Sequence, residues 1–197
     1  MKQMKAKDIL MPTLALFLIC LVATVLLALT NNVTEAKIEE NAVQTAIASR
    51  AEVLPQVGDV AVASYSDDKT DEASGLVYNE GYDDAGNVVG YIFTSAAKGY
   101  GGDVKVMIGY DLTGTIVGFT VLDCSNETPG LGQNSKTPEF MGRFPGKTGE
   151  LVVDKNSNDG QNIQAITAAT ITSKAVVKAV NAATEAVSAL LGGADNG

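Results

Sequence analysis

The chain of 197 residues has no histidine, no tryptophan and only two cysteines. Without imidazole, histidine-based metal binding and proton shuttling near neutral pH are excluded. The two cysteines are not a staple, because Cys20 falls inside a hydrophobic run and Cys124 far outside it. Nor does any spacing fit zinc or an iron–sulfur cluster, so redox work would need an acquired cofactor. Positive charge is scarce too: 14 lysines and arginines stand against 23 acidic residues, for a net charge of −9. That balance provides no basic face for nucleic acid. Paired carboxylates and a nucleophile elbow are absent, which argues against a hydrolase.

Apolar residues are plentiful at the amino terminus. The run 9–29 carries no charge and is interrupted only by Pro12, Thr13 and Thr24. As a helix it reaches about 31 Å, the thickness of a bilayer's hydrocarbon layer. Lys2, Lys5 and Lys7 precede it, and Glu35, Glu39 and Glu40 follow. The positive-inside rule then predicts a cytoplasmic amino terminus and an extracytoplasmic remainder. A cleaved signal peptide is the rival, but the run is long for one and Ala28-Leu29-Thr30 is a poor cleavage site. Bulky Ile19 before Cys20 argues against a lipoprotein. The expectation is a single-pass cell-membrane protein, held in lipid by one uncleaved helix. Residues 1–30 form the cytoplasmic tip and anchor, 31–58 a helical connector, and 59–197 an extracytoplasmic domain. About 165 residues outside the membrane suffice for a core without disulfides.

Val33, Ile38, Ala42, Val43, Ala46 and Ile47 make an apolar stripe that predicts a helix continuing outward until Pro55. The acidic stretch 58–74 has little periodicity and is expected to be a loop with at most a short element. Strands are predicted over 76–79, 88–94, 104–110, 115–122 and 151–154, all rich in Val, Ile, Phe or Tyr. The clusters 83–87 and 111–114 are hairpin turns, and 98–102 and 156–160 are loops. Val176, Val177, Val180, Ala183, Val187, Leu190 and Leu191 define a final helix that Gly192-Gly193 should end. Antiparallel strands followed by a covering helix make an α+β domain.

Two segments carry chemistry. Thr167-Ala168-Ala169-Thr170-Ile171-Thr172-Ser173 leads into the last helix. A helix start offers unpaired N–H groups and positive dipole, which suit a phosphate. The hydroxyls beside it could bind that phosphate or be esterified to it. Alternatively Thr172 or Ser173 simply caps the helix. The second segment is Glu127-Thr128-Pro129-Gly130-Leu131-Gly132. Proline then glycine is the preference of a type II turn. The glycines allow backbone to approach a flat ligand, with Leu131 on its face. Glu127 could accept hydrogen bonds from a ring or brace the turn. A plain surface turn is the other reading.

With the anchor and with Gly99-Tyr100-Gly101-Gly102 entering a valine-rich strand, these segments closely resemble one family. It is the FMN-binding G subunits of Rnf ion-translocating ferredoxin:NAD oxidoreductases, to which the C subunits of sodium-pumping NADH:quinone oxidoreductases are longer relatives. The resemblance covers essentially the whole chain. It implies one FMN joined covalently through its phosphate to Thr170. Thr167, Ala168 and Ala169 would shape the approach, and Thr172 and Ser173 would hold the phosphate or cap the helix. Glu127, Thr128, Gly130, Leu131 and Gly132 would serve the ring. The resemblance also implies electron relay within a membrane complex, without independent catalysis. The other Rnf subunits would be partners, and a flavin transferase using FAD would act in maturation. The family's attachment motif, Asp-x-x-(Ser/Thr)-Gly-Ala-Thr, falls on residues 164–170 with two departures. Gln164 replaces the aspartate, and Ala168 replaces the glycine, losing freedom at positive φ. Where the family often has histidine, this chain reads Asp123-Cys124-Ser125-Asn126. Two other readings stay open: a standalone membrane-anchored flavoprotein feeding a different reductase, and a cofactor-free binding module.

Overall fold

The computed structural model describes residues 6–194. Two compact units are present, Met1–Gln44 and Thr45–Gly197. Helix α1, Ala6–Val53, has 48 residues and supplies all the described residues of the first unit. Within it Leu10–Asn31 has a mean hydropathy of 2.7 and is exposed throughout. Its hydroxyls are satisfied locally, Thr24 donating to Cys20 O at 2.8 Å and Thr30 to Leu26 O at 2.9 Å. Such i−4 bonds let threonine sit in an apolar span without an unpaired donor. The helix ends at Val53 because Pro55 disfavours helical geometry at Leu54.

The second unit is built around an antiparallel sheet. Its elements are β1 (Gln56–Val57), β2 (Val60–Ala61), β3 (Ser64–Tyr65), β4 (Lys69–Thr70), β5 (Val77–Tyr82), β6 (Val88–Lys98), β7 (Asp103–Asp111) and β8 (Ile116–Asp123). A short 3-10 helix (Gly132–Lys136), α2 (Pro138–Met141), β9 (Val152–Asp154), β10 (Asn162–Gln164) and α3 (Thr170–Ala194) follow. The main sheet has the order β3-β5-β6-β7-β8, with β4 also paired to β5. The α+β architecture and the main hairpins agree with expectation. Three details are corrected. The stretch 58–74 contains β2, β3 and β4, two-residue strands too short to show a period and formed by pairing with β1 and β5. Strand β10 joins β9 in parallel and has no apolar alternation of its own. Helix α3 runs through Gly192 to Ala194, since a glycine stops a helix only by leaving helical geometry and otherwise is a tolerated cost.

Alternation along the strands gives the sheet two apolar faces. Val104, Val106, Ile108 and Tyr110 of β7 meet Val176, Val180, Ala183 and Val187 of α3. Helix α3 is also long and apolar enough to cross a membrane, but half of it is buried against the sheet, which marks it as the core helix. The opposite face packs Ile92 and Met107 on Val53 and Leu54. Glycine makes that contact possible. A Cβ at Gly109 or Gly118, which are register partners, would lie 2.3 or 2.2 Å from Val53 O. Gly81 and Gly90, also partners, leave room for the Leu54 side chain, whose methyl carbons would lie 2.9 and 3.3 Å from a Cβ there. The four residues form a trench across the sheet into which the end of α1 sinks.

Candidate functional site

At the far end of the β6–β7 hairpin, three segments converge. The hairpin loop is closed by Gly99 N–H to Gly102 O at 2.7 Å. The glycine turn is type II as expected, with Leu131 N–H on Thr128 O at 3.1 Å and Gly130 at φ +75°. The third segment is the start of α3. Its first helical bond, Ser173 N–H to Ala169 O at 3.0 Å, leaves the N–H groups of Thr170, Ile171 and Thr172 without helical acceptors. Between the segments lies a cavity of about 580 Å³, within the range of small-molecule sites.

Glu127 is the hub. Only 2 % exposed, it accepts from Gly101 N–H at 3.0 Å and from the Thr172 hydroxyl at 2.5 Å. The fit is tight: a Cβ on Gly99 or Gly132 would come 2.4 Å from a carboxylate oxygen. Burial pushes its carboxyl up, but the Thr172 hydroxyl and the N–H groups of Gly101, Tyr100 and Gly102 outweigh this and hold it below the usual range. A depressed folded value means that its stabilisation is complete above the unfolded pKa of about 4.3. It is lost as pH falls through the folded value. Glu127→Gln is therefore expected to flatten the acid limb below about pH 4.3, checked by urea midpoints measured from neutral pH downward.

The hydroxyls differ in availability. Ser173 is fully buried, donates to Ala169 O at 3.0 Å and accepts from Ile166 N–H at 2.9 Å. It braces the approach loop and does not line the cavity. Thr172 lines the cavity wall with its proton given to Glu127. Neither residue caps the helix, which already begins at Thr170. Thr170 is half-buried and faces the cavity together with Ala168, Ala169, Thr128, Leu131 and Gly132. Thr167 and Gly130 instead border a second hollow, of about 580 Å³, on the other side of Leu131 and Ala168. Cys124 is buried, its thiol 4.0 Å from Gln133 O.

Ala168 has φ +59°, the sole positive value at a non-glycine among the described residues. A positive φ is glycine's preference, so an alanine here bears strain. Left-handed geometry costs such a residue about 1–2 kcal/mol, partly offset by glycine's greater unfolded entropy. Ala168→Gly is expected to stabilise the domain by about 0.5–1 kcal/mol, read as a higher urea midpoint at unchanged slope.

Two cavity residues escaped the sequence reading. Tyr100, 72 % exposed, and Ile171, 55 % exposed, both border it. The signal for Tyr100 was a large ring among glycines at a hairpin tip; for Ile171 it was an apolar side chain on the helix's solvent side. Arg143 was also missed. It donates to Gln164 O at 2.5 Å and to Glu139 at 2.8 Å, tying α2 to the approach loop, and nothing in the local pattern announces this.

The arrangement fits a flavin mononucleotide: free amides and a hydroxyl for phosphate, apolar side chains for a ring, and glycines where backbone comes close. The family profile of the FMN-binding domain matches residues 99–185, spanning all three cavity segments, and that of the RnfG N-terminal region matches residues 1–53. The cavity thus lies in an FMN-binding domain that follows a long apolar helix. The chain is 43 % identical over 180 residues to the G subunit of the Na(+)-translocating ferredoxin:NAD(+) oxidoreductase complex of Acetobacterium woodii, covering 85 % of this chain and 86 % of that one. It is 36 % identical over 187 residues to the G subunit of the ion-translocating oxidoreductase complex of Methanosarcina acetivorans, covering 93 % and 97 %. The crystal structure of NqrC from Shewanella oneidensis is similar with a TM-score of 0.47 at 18 % identity, covering 61 % of this chain and 64 % of that one. The chain belongs to the family of G subunits of ion-translocating oxidoreductase complexes.

Proposed function

We propose that this chain is the redox subunit of an ion-translocating ferredoxin:NAD oxidoreductase complex and carries one FMN esterified through its phosphate to Thr170. The observation that carries the attachment is the hydroxyl accounting at the start of α3. Ser173 and Thr172 are buried with their protons donated, Thr167 opens on a different hollow, and Thr170 faces the cavity beside free helix amides. Those amides and the helix dipole favour the single negative charge that a phosphodiester retains. Tyr100, Leu131 and Ile171 offer apolar contact to the ring, whose electron transfer is the cofactor's own chemistry. This chain's residues hold it, orient it and set the charge around it.

The subunit is held in lipid by the α1 span, with the amino terminus cytoplasmic and the FMN domain outside. The lysines before the span and the glutamates after it support that orientation. Covalent linkage suits the location, because a dissociable flavin outside the cell would be lost by dilution. The other subunits of the complex exchange electrons with it, and a flavin transferase drawing on FAD acts only in maturation. The test is intact mass after production with and without that transferase. The expected gain is one FMN less one water, with yellow colour that survives denaturation. A colourless chain of unmodified mass would overturn the proposal.

A further inference from the structure

Tyr100, Leu131 and Ile171 come from three different elements, yet each is next in sequence to a contact with one side chain. Tyr100 precedes Gly101, whose N–H donates to Glu127 Oε1 at 3.0 Å. Ile171 precedes Thr172, whose hydroxyl donates to Glu127 Oε2 at 2.5 Å. Leu131 precedes Gly132, where a Cβ would lie 2.4 Å from that same Oε2, so the turn rests directly on the carboxylate. The three apolar side chains are 72, 39 and 55 % exposed and border one cavity. Exposed apolar residues scattered singly need no explanation, but three gathered around one hollow mark a binding surface. Both oxygens of Glu127 are engaged with protein donors, so its role differs from that of a group hydrogen-bonded to a ligand.

We propose that Glu127 is a positioning residue, which from beneath the cavity holds Tyr100, Leu131 and Ile171 at the spacing that grips a planar aromatic ring. The inference rests on the FMN reading above and adds how the ring is held. The carboxylate sets the clamp through its neighbours: the hairpin by a backbone amide, the helix by a hydroxyl, the turn by packing. Its charge is met by N–H dipoles and the positive end of α3, and no salt bridge pairs it among the described residues. Losing the side chain frees three supports at once.

The experiment compares wild type, Glu127→Ala and Glu127→Gln, each matured with the flavin transferase. Two properties of the bound flavin are read: its visible circular dichroism, which requires a fixed asymmetric environment, and its fluorescence quenching by iodide. Thermal melts run alongside. Glu127→Ala is expected to lose most of the dichroism and to raise the quenching constant several-fold at temperatures where the domain is folded. Glu127→Gln should stay close to wild type, because its amide oxygen still accepts from Gly101 and its amide N–H donates to Thr172. A folded Glu127→Ala with wild-type signals overturns the proposal, as does a glutamine variant as loose as alanine. Should Glu127→Ala fail to fold, Thr172→Val releases the Ile171 support alone and must still raise quenching. A wild type that acquires no flavin defeats the FMN reading instead. Amide exchange in the unloaded chain then decides the clamp: Glu127→Ala must speed the hydrogen-bonded amides of all three segments together, Gly99 and Gly101, Leu131 and Gln133, and Ala169 and Ser173, and unchanged exchange refutes it.

Discussion

Thr170→Ala is expected to yield a folded chain with no flavin mass, even when matured beside a competent transferase. The loss should be complete, because an ester needs an oxygen and no other hydroxyl at the start of α3 supplies one. Thr172 is 1 % exposed with its proton on Glu127, and Ser173 is fully buried between Ala169 O and Ile166 N–H. Moving either into reach of a phosphate would break a buried hydrogen bond, at about 1–3 kcal/mol for the partner left unpaired. Thr167 is exposed, but it lies three residues before the helix and borders the other hollow. Alanine in a first helical turn is well tolerated, so stability should change by less than about 1 kcal/mol. Thr170→Ser retains the hydroxyl and is expected to restore attachment. Intact mass and peptide mapping check all three chains, and an FMN increment that survives in Thr170→Ala removes the ester from this residue.

Much of the site was legible because its parts are local. A type II turn is written in Pro129-Gly130, a helix start in the periodicity after Thr170, and a loop between two strands in Lys98 to Gly102. Each follows from backbone preference within a few residues. What escaped was the tertiary pairing of those parts. Glu127 had two readings in the sequence, and only the approach of Gly101 and Thr172, 26 and 45 residues away, shows both of its oxygens bonded within the protein. The role of Ser173 was hidden for the same reason: its partner Ile166 lies upstream of the helix that the pattern announces. Ala168 shows the reverse. A rare residue type at a motif position signalled strain in advance, and the backbone carries φ +59° there. The short strands β2, β3 and β4 were invisible, since two residues have no period.

The glycine trench was equally silent in the sequence, and it yields the second large effect: Gly118→Ala should destabilise the domain by about 3 kcal/mol or more. The added Cβ would sit 2.2 Å from Val53 O and 2.8 Å from both Val53 C and Cα. Those are backbone atoms at the end of a helix, so no side-chain rotation relieves the contact. Val53 and Leu54 must lift off Ile92 and Met107, which opens the smaller core. Against a typical total of about 5–15 kcal/mol, such a loss lowers the melting midpoint by about 6–12 °C. Gly109→Ala meets the same carbonyl at 2.3 Å and should behave alike. The double variant should cost less than the sum, because one displacement of Val53 relieves both contacts. Flavin attachment should survive these changes at temperatures where the domain is folded. The trench crosses β6 at Gly90, while the cavity lies beyond Lys98, about 26 Å along the strand at 3.3 Å per residue. Thermal melts with intact mass separate the two effects. A Gly118→Ala chain that melts with wild type would mean that the end of α1 does not rest in the trench.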